Sequence, residues 1–305
     1  MMHDQADNLR ELVRRRSSAA APDPVSQMIT VAGGKGGVGT STIAANLAMA
    51  LAAQGRRTVL VEADLDRTAS GLATGAEGCS IVDALAGRRT VHEILGRGPG
   101  GIQILPGAFA PSELVECSAT AQQRLIGELK SLGRHAEVVV LDAGGGRNPF
   151  IRRLWQAADL VLLVTTADSA SIVESYAAIK VLSGGDAAIP LYTLVNRVAD
   201  GVQAAEVHAR VGAACRRFLG LHTYEAGHVP LDAGKGGEHV RQFLLQSPRS
   251  EAARSLERVA ETLWTATSAG DDRTRKKLHP SQIMQIAGAV PGGMTLPEQA
   301  SSASS

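Results

Sequence analysis

The chain has 305 residues, 44% of them hydrophobic, enough to bury a sizeable core and too apolar for a chain disordered throughout. Thirty-one basic residues against thirty acidic ones leave a net charge of +1, which offers no global attraction for nucleic acid or an acidic membrane surface. Cys79, Cys117 and Cys215 are odd in number and widely spaced, so they suggest neither a disulfide framework nor a zinc site.

The elements are taken in chain order. Residues 4–16, DQADNLRELVRRR, place Leu9, Leu12 and Val13 at helical spacing with Asp4 positioned to cap the start, which predicts a short amphipathic helix over 1–16. Two prolines and no periodicity mark 17–27 as a linker. No basic-then-apolar leader opens the chain and no run is long enough to span a bilayer, so a cytoplasmic protein is expected. Short apolar runs follow at 28–32, 58–62, 102–105, 137–142, 159–166 and 190–196. Between them lie helical patterns at 42–54, 80–96, 118–132, 168–182 and 202–219, with a closing helix at 250–267. Continuous apolar strands alternating with helices predict an α/β domain over 28–268, a doubly wound, mostly parallel sheet with helices on both faces. Residues 269–305 are polar, rich in Pro, Gly and Ser, and read as a disordered tail.

The first predicted strand runs into GGKGGVGTST at 33–42 and then into a helix. Glycines at a strand-to-helix turn let backbone N–H groups converge on phosphate oxygens, and the helix N-terminus adds positive potential. Gly34, Gly36, Gly37, Val38 and Gly39 therefore form the candidate cradle, and the missing feature is a lysine at position 40. Losing a positive charge about 4 Å from a phosphate forfeits on the order of 4 kcal/mol at an effective dielectric near 20, before solvent and metal restore part of it.

This stretch resembles the deviant Walker A loop of the MinD/ParA family, KGGVGK followed by two Ser/Thr. The resemblance implies ATP and Mg2+ as cofactors and a nucleotide-dependent homodimer. It makes Lys35 the signature lysine that reaches the partner's phosphates, Ser41 a magnesium ligand and Thr42 a hydroxyl near the α-phosphate, while Thr40 stands where the ordinary lysine would be. In VLVEADLDR, Asp64 matches the switch carboxylate that positions water and lies at the metal, whereas Glu62 and Asp66 depart from the family's DADLG. EVVVLDAGGG places Asp142 at the Walker B position beside the metal and Gly146 at a γ-phosphate donor position. Asn196 and Arg197 match purine-contacting positions.

Three further stretches are similar to the FlhG group, also written YlxH or FleN, MinD-like regulators of flagellar number and placement. DQADNLR at 4–10 resembles its DQAxxLR element, which implies that Asp4, Gln5, Leu9 and Arg10 dock an FlhF-type GTPase. TTADSASIVESYAAIK at 165–180 keeps Thr165, Thr166, Ile172, Tyr176, Ile179 and Lys180 of its TTPEPTAITDAYAxIK, without either proline. RFLGLHTYEAGHVPLD and SPRSEAARSLERVA complete the likeness over most of 4–264. Flagellar switch-complex proteins join the implied partners, and nucleic acid does not. Pro280 interrupts the tail segment RTRKKLHPSQIMQIAGAV and no aromatic anchors it, so membrane contact is expected to be weak or indirect, peripheral at the inner face of the cell membrane. With Thr40 in the loop, slow hydrolysis and a hydrolysis-deficient scaffold both stay open, as does a pilus-assembly or cellulose-synthesis relative of the same fold.

Overall fold

The computed structural model describes residues 25–64, 69–76, 78–108, 118–146, 148–183, 189–231, 240 and 242–277, with side chains through 268. Eight strands appear in chain order: β1 (Gln27–Gly33), β2 (Thr58–Glu62), β3 (Gly96–Arg97), β4 (Gln103–Leu105), β5 (Val138–Asp142), β6 (Leu160–Thr165), β7 (Leu191–Val198) and β8 (Tyr224–Pro230). They form one sheet in the order β3-β4-β2-β5-β1-β6-β7-β8, in which only the short β3–β4 pair is antiparallel. Strands β2, β5 and β6 are buried along their whole length, the condition under which a strand reads as an uninterrupted apolar run.

The helices are α1 (Thr40–Ala53), α2 (Ile81–Ala86), α3 (Val91–Ile94), α4 (Ala119–Ser131), α5 (Pro149–Ala157), α6 (Ser169–Leu182), α7 (Gly201–Leu219), α8 (Phe243–Gln246) and α9 (Glu251–Lys277). Two apolar cores result. One gathers Val61, Leu125, Leu141, Leu154, Ile179 and Val211 with their neighbours. The other gathers Ile29, Leu47, Val140, Leu162, Leu256 and Leu263. Alternate residues of β5 enter opposite cores, Val139 and Leu141 one and Val138 and Val140 the other, so the sheet is covered on both faces as expected of a doubly wound fold.

Several elements differ from the sequence expectation. The helix predicted at 80–96 is two: Gly87 caps α2 with φ 71, and Thr90 starts α3 through a capping box with Glu93. Helix α5, absent from the prediction, is capped by Asn148, whose side chain accepts from the Ile151 N–H, with Pro149 in the first turn. Strand β8 was also missed, since its pattern is interrupted by exposed residues and by Gly227 at φ 126. The closing helix runs to Lys277 rather than ending at 267, so 269–277 is helical and not part of a tail without structure. The chain divides into a compact unit through Thr267 and a second one from Ser268. The predicted docking helix, and with it Asp4, Gln5, Leu9 and Arg10, lies outside the described residues, as do Asp66, Cys117 and Pro280.

Candidate nucleotide site

The order of the strands puts β1 between β5 and β6, so the turn leaving β1 opens at the carboxyl edge of the sheet, where ligands of open α/β folds gather. Gly39 precedes α1 in the left-handed region at φ 97, and α1 has neither a side-chain cap nor an acidic residue in its first turn. Its leading N–H groups and the positive end of its dipole therefore face the turn uncompensated by side chains. A side chain at Gly39 would also strike the Asn196 amide. The loop is pressed closely against the turn after β5, because a Cβ at Gly145 would lie 2.6 Å from the Lys35 carbonyl carbon.

On the β5 side, Asp142 ends its strand almost wholly buried and accepts hydrogen bonds from the Ser41 side chain and, at 3.2 Å, from the Gly144 N–H. Burial raises its pKa to about 6 against the partial relief of those two bonds, and the neighbouring Asp64 and Glu62 charges push the same way. Asp64 packs onto the same turn: a Cβ at Gly144 would collide with its carboxylate. Ser41, Asp64 and Asp142, all assigned from the sequence to the metal, are thus brought together. Among the described residues no group of three or more His, Cys, Asp or Glu could hold a metal. Mg2+ fits a different arrangement, one or two protein oxygens completed by water and phosphate, and the Ser41 hydroxyl beside the Asp142 carboxylate is a set of that kind.

Glu62, which the sequence left as a departure from pattern, has a structural role. It pairs with Asp142 across β2–β5 and lies buried. Its carboxylate accepts from the Gly107 N–H at 3.0 Å, from the Ser70 N–H at 3.1 Å and from the Ser70 hydroxyl. It ties the chain at Ser70 to the chain after β4.

On the β6 side, Lys35 Nζ bonds Asp168 Oδ1 at 2.9 Å, with the two side chains 36% and 50% exposed. Asp168 caps α6, accepting from the Ser171 N–H at 2.9 Å and from the Ser171 and Thr166 hydroxyls at 2.6 Å. The hydroxyls of Ser171 and Thr166, then Lys35, hold its carboxyl far below the usual carboxylate range. Asp168 was not singled out from the sequence, although a Thr-x-Asp-x-x-Ser spacing ahead of a helix is a capping signal. From β7, Asn196 Nδ2 donates to the Val38 carbonyl at 2.8 Å and Arg197 Nη1 to the Gly37 carbonyl at 3.0 Å. Thr40 is buried, Thr42 half-buried with its carbonyl accepting from Asn46, and Gly146 lies half-buried beyond the turn that carries Asp142.

Residues 29–269 match the CobQ/CobB/MinD/ParA nucleotide binding domain. The antiactivator FleN of Pseudomonas aeruginosa is 31% identical over 238 residues, covering 77% of this chain and 85% of that protein. The flagellum site-determining protein YlxH of Helicobacter pylori is 29% identical over 217 residues, 69% of this chain and 72% of that one. Among solved structures, the cell division ATPase MinD of Pyrococcus furiosus superposes with a TM-score of 0.62 at 23% identity, covering 79% of this chain and 99% of that one. MinD of Pyrococcus horikoshii, complexed with Mg-ADP, gives 0.62 at 21% identity, covering 80% and 98%. At those identities the two structures speak for the fold.

Proposed function

Because the chain belongs to the CobQ/CobB/MinD/ParA nucleotide-binding family, we propose that it is an ATP- and Mg2+-dependent dimer switch that controls flagellar number and placement. The observation that carries the nucleotide half is the packing of Asp64 and the Lys35 loop against the turn after Asp142, beside an uncapped helix N-terminus. The flagellar half is supported by the likeness to FleN and YlxH.

The loop amides of Gly34, Gly36, Gly37, Val38 and Gly39 receive the phosphates, and the Thr42 hydroxyl lies toward the α-phosphate. Ser41 and Asp142, with Asp64 close by, hold Mg2+, which neutralises phosphate charge when bound. Asp64 orients water for attack, and Gly146 donates its N–H at the γ-phosphate end. Asn196 presents its amide to the base. Lys35 exchanges Asp168 for the phosphates held by a second copy, so nucleotide favours the dimer only by as much as the dimer holds it more tightly. Residues 4–10 engage an FlhF-type GTPase, and switch-complex proteins are further partners. The protein works in the cytoplasm, with membrane contact indirect. Among the described residues no helix is long and apolar enough to cross a membrane.

Sedimentation with Mg·ATP, Mg·ADP or no nucleotide tests the switch. A dimer appearing with ATP alone is expected, and identical profiles rule it out. A second reading, a regulator that binds ATP and hydrolyses little, is favoured by Thr40. Turnover measured beside Thr40→Lys separates the two, a large gain in rate with unchanged folding marking the native loop as hydrolysis-deficient.

A further inference from the structure

Arg197 is the one non-glycine residue with positive φ among the described residues, at φ 58. The strand register explains why. Asn196 pairs with Val229 and Val198 with Pro230, so Arg197 is the extra residue of a bulge between β7 and β8. A long side chain held in the left-handed region costs free energy, and such positions persist where the surroundings enforce them. Here the result is to turn an exposed guanidinium back over the phosphate loop. Nη1 donates to the Gly37 carbonyl at 3.0 Å, and Nη2 lies 4.0 Å from where a Cβ of Gly39 would be. The cation thus spans the loop just ahead of Thr40, the position without a lysine, while Lys35 is engaged by Asp168.

We propose that Arg197 stands in for the missing lysine, supplying positive charge to the phosphate loop from β7 and bracing Gly37, rather than reading the purine. This inference rests on the nucleotide-site reading above. Arginine suits the task, since its charge is permanent and its fork spans two points of a backbone. A charge acting from outside the cradle contributes less than an in-loop lysine, on the order of tenfold in affinity.

The test is a double-mutant cycle on the full chain, with Mg·ATP titrated calorimetrically into wild type, Arg197→Gly, Thr40→Lys and the double variant. Glycine adopts φ 58 freely, so Arg197→Gly removes the guanidinium without adding backbone strain. The expected result is about tenfold weaker binding in Arg197→Gly and a gain from Thr40→Lys several-fold larger in that background than in wild type. Arg197→Lys, which keeps the charge and loses the fork, falls between wild type and Arg197→Gly. Equal gains from Thr40→Lys in both backgrounds, the additivity expected of a purine contact, overturn the proposal. So does an Arg197→Lys as weak as Arg197→Gly. If Thr40→Lys does not fold, the salt dependence of affinity decides with the lysine variant: a shallower fall in Arg197→Gly supports the charge role, and an unchanged slope overturns it. Wild type that takes up no Mg·ATP sinks this proposal together with the parent reading, whereas equal binding by wild type and Arg197→Gly sinks this one alone.

Discussion

Asp142 and Asp168 flank the same loop from opposite sides and show what one side chain becomes in two environments. Asp142, at the end of β5, is buried with a hydroxyl and one N–H for partners, and its pKa rises to about 6. Asp168, ahead of α6, is half exposed with three kinds of donor, and its carboxyl sits far below the ordinary range. The buried carboxylate costs free energy that its hydrogen bonds offset only in part, and in the function proposed above a bound cation offsets more of it. The exposed one is part of the fold's own stability, though a small part in high dielectric. In the function proposed above, the β5 side would hold the cation and the β6 side a contact that Lys35 exchanges on dimerisation.

The largest expected effect tests the buried side. A folded pKa raised from 3.8 to about 6 means that ionised Asp142 destabilises the fold above that range, a cost relieved as pH falls through 6 and absent below 3.8. Asp142→Asn removes the charge and keeps an acceptor for Ser41. In urea unfolding without nucleotide it should be more stable than wild type by up to about 3 kcal/mol at pH 8, with the gain shrinking steadily toward pH 4. The same variant should lose Mg·ATP affinity. A stability difference that does not change with pH would mean that Asp142 is solvated rather than buried.

How legible this was in the chain varies with what decides each element. Strands such as β2 and β5 were plain from the sequence, because burial on both faces leaves an apolar run whatever the neighbours are. The loop at 33–42 was equally plain, since its chemistry is local. Strand β8 was not, because pairing with β7 rather than its own pattern makes it a strand. Helix α5 did carry a signal, with Asn148, Pro149 and then Phe150, Ile151, Leu154 and Trp155 on one buried face, but it lies in the shadow of the glycine run before it. The role of Glu62 and the Asp168–Lys35 pair escaped because Gly107 and Lys35 stand far off in sequence, although the capping of α6 by Asp168 is local and was legible in the Thr166 and Ser171 spacing. Arg197 was visible as a residue type, and only the bulge reveals its direction.

Next in size is Glu62, the second buried carboxylate. Glu62→Ala leaves the buried Gly107 N–H and the Ser70 groups without their acceptor and should cost about 2 kcal/mol in unfolding free energy. It also removes one of the charges that raise the pKa of Asp142. The pH at which the Asp142→Asn advantage fades should accordingly move down in the Glu62→Ala background, as tracked by unfolding across pH 4 to 8. No movement would uncouple the two carboxylates. On the exposed side the same experiment gives less. Asp168→Ala removes the cap of α6 and should cost about 1 kcal/mol at pH 7. Because the native pKa of Asp168 is lowered, that contribution is present above the ordinary carboxylate range and is lost as pH falls below it, opposite in sign to Asp142.

The smallest expected stability change sharpens the contrast most. Lys35→Met breaks only a half-exposed ion pair and should alter unfolding free energy by less than about 0.5 kcal/mol. Asp168 keeps its Ser171 and Thr166 donors, so α6 stays capped. If the Lys35 contact is held for exchange, the variant should bind Mg·ATP as a monomer and fail to sediment as a dimer with it. If instead the pair serves the fold, the stability loss would approach that of Asp168→Ala and dimerisation would survive. Reading both quantities on one variant therefore tells a side chain kept for its native partner from one kept for a partner that arrives with nucleotide.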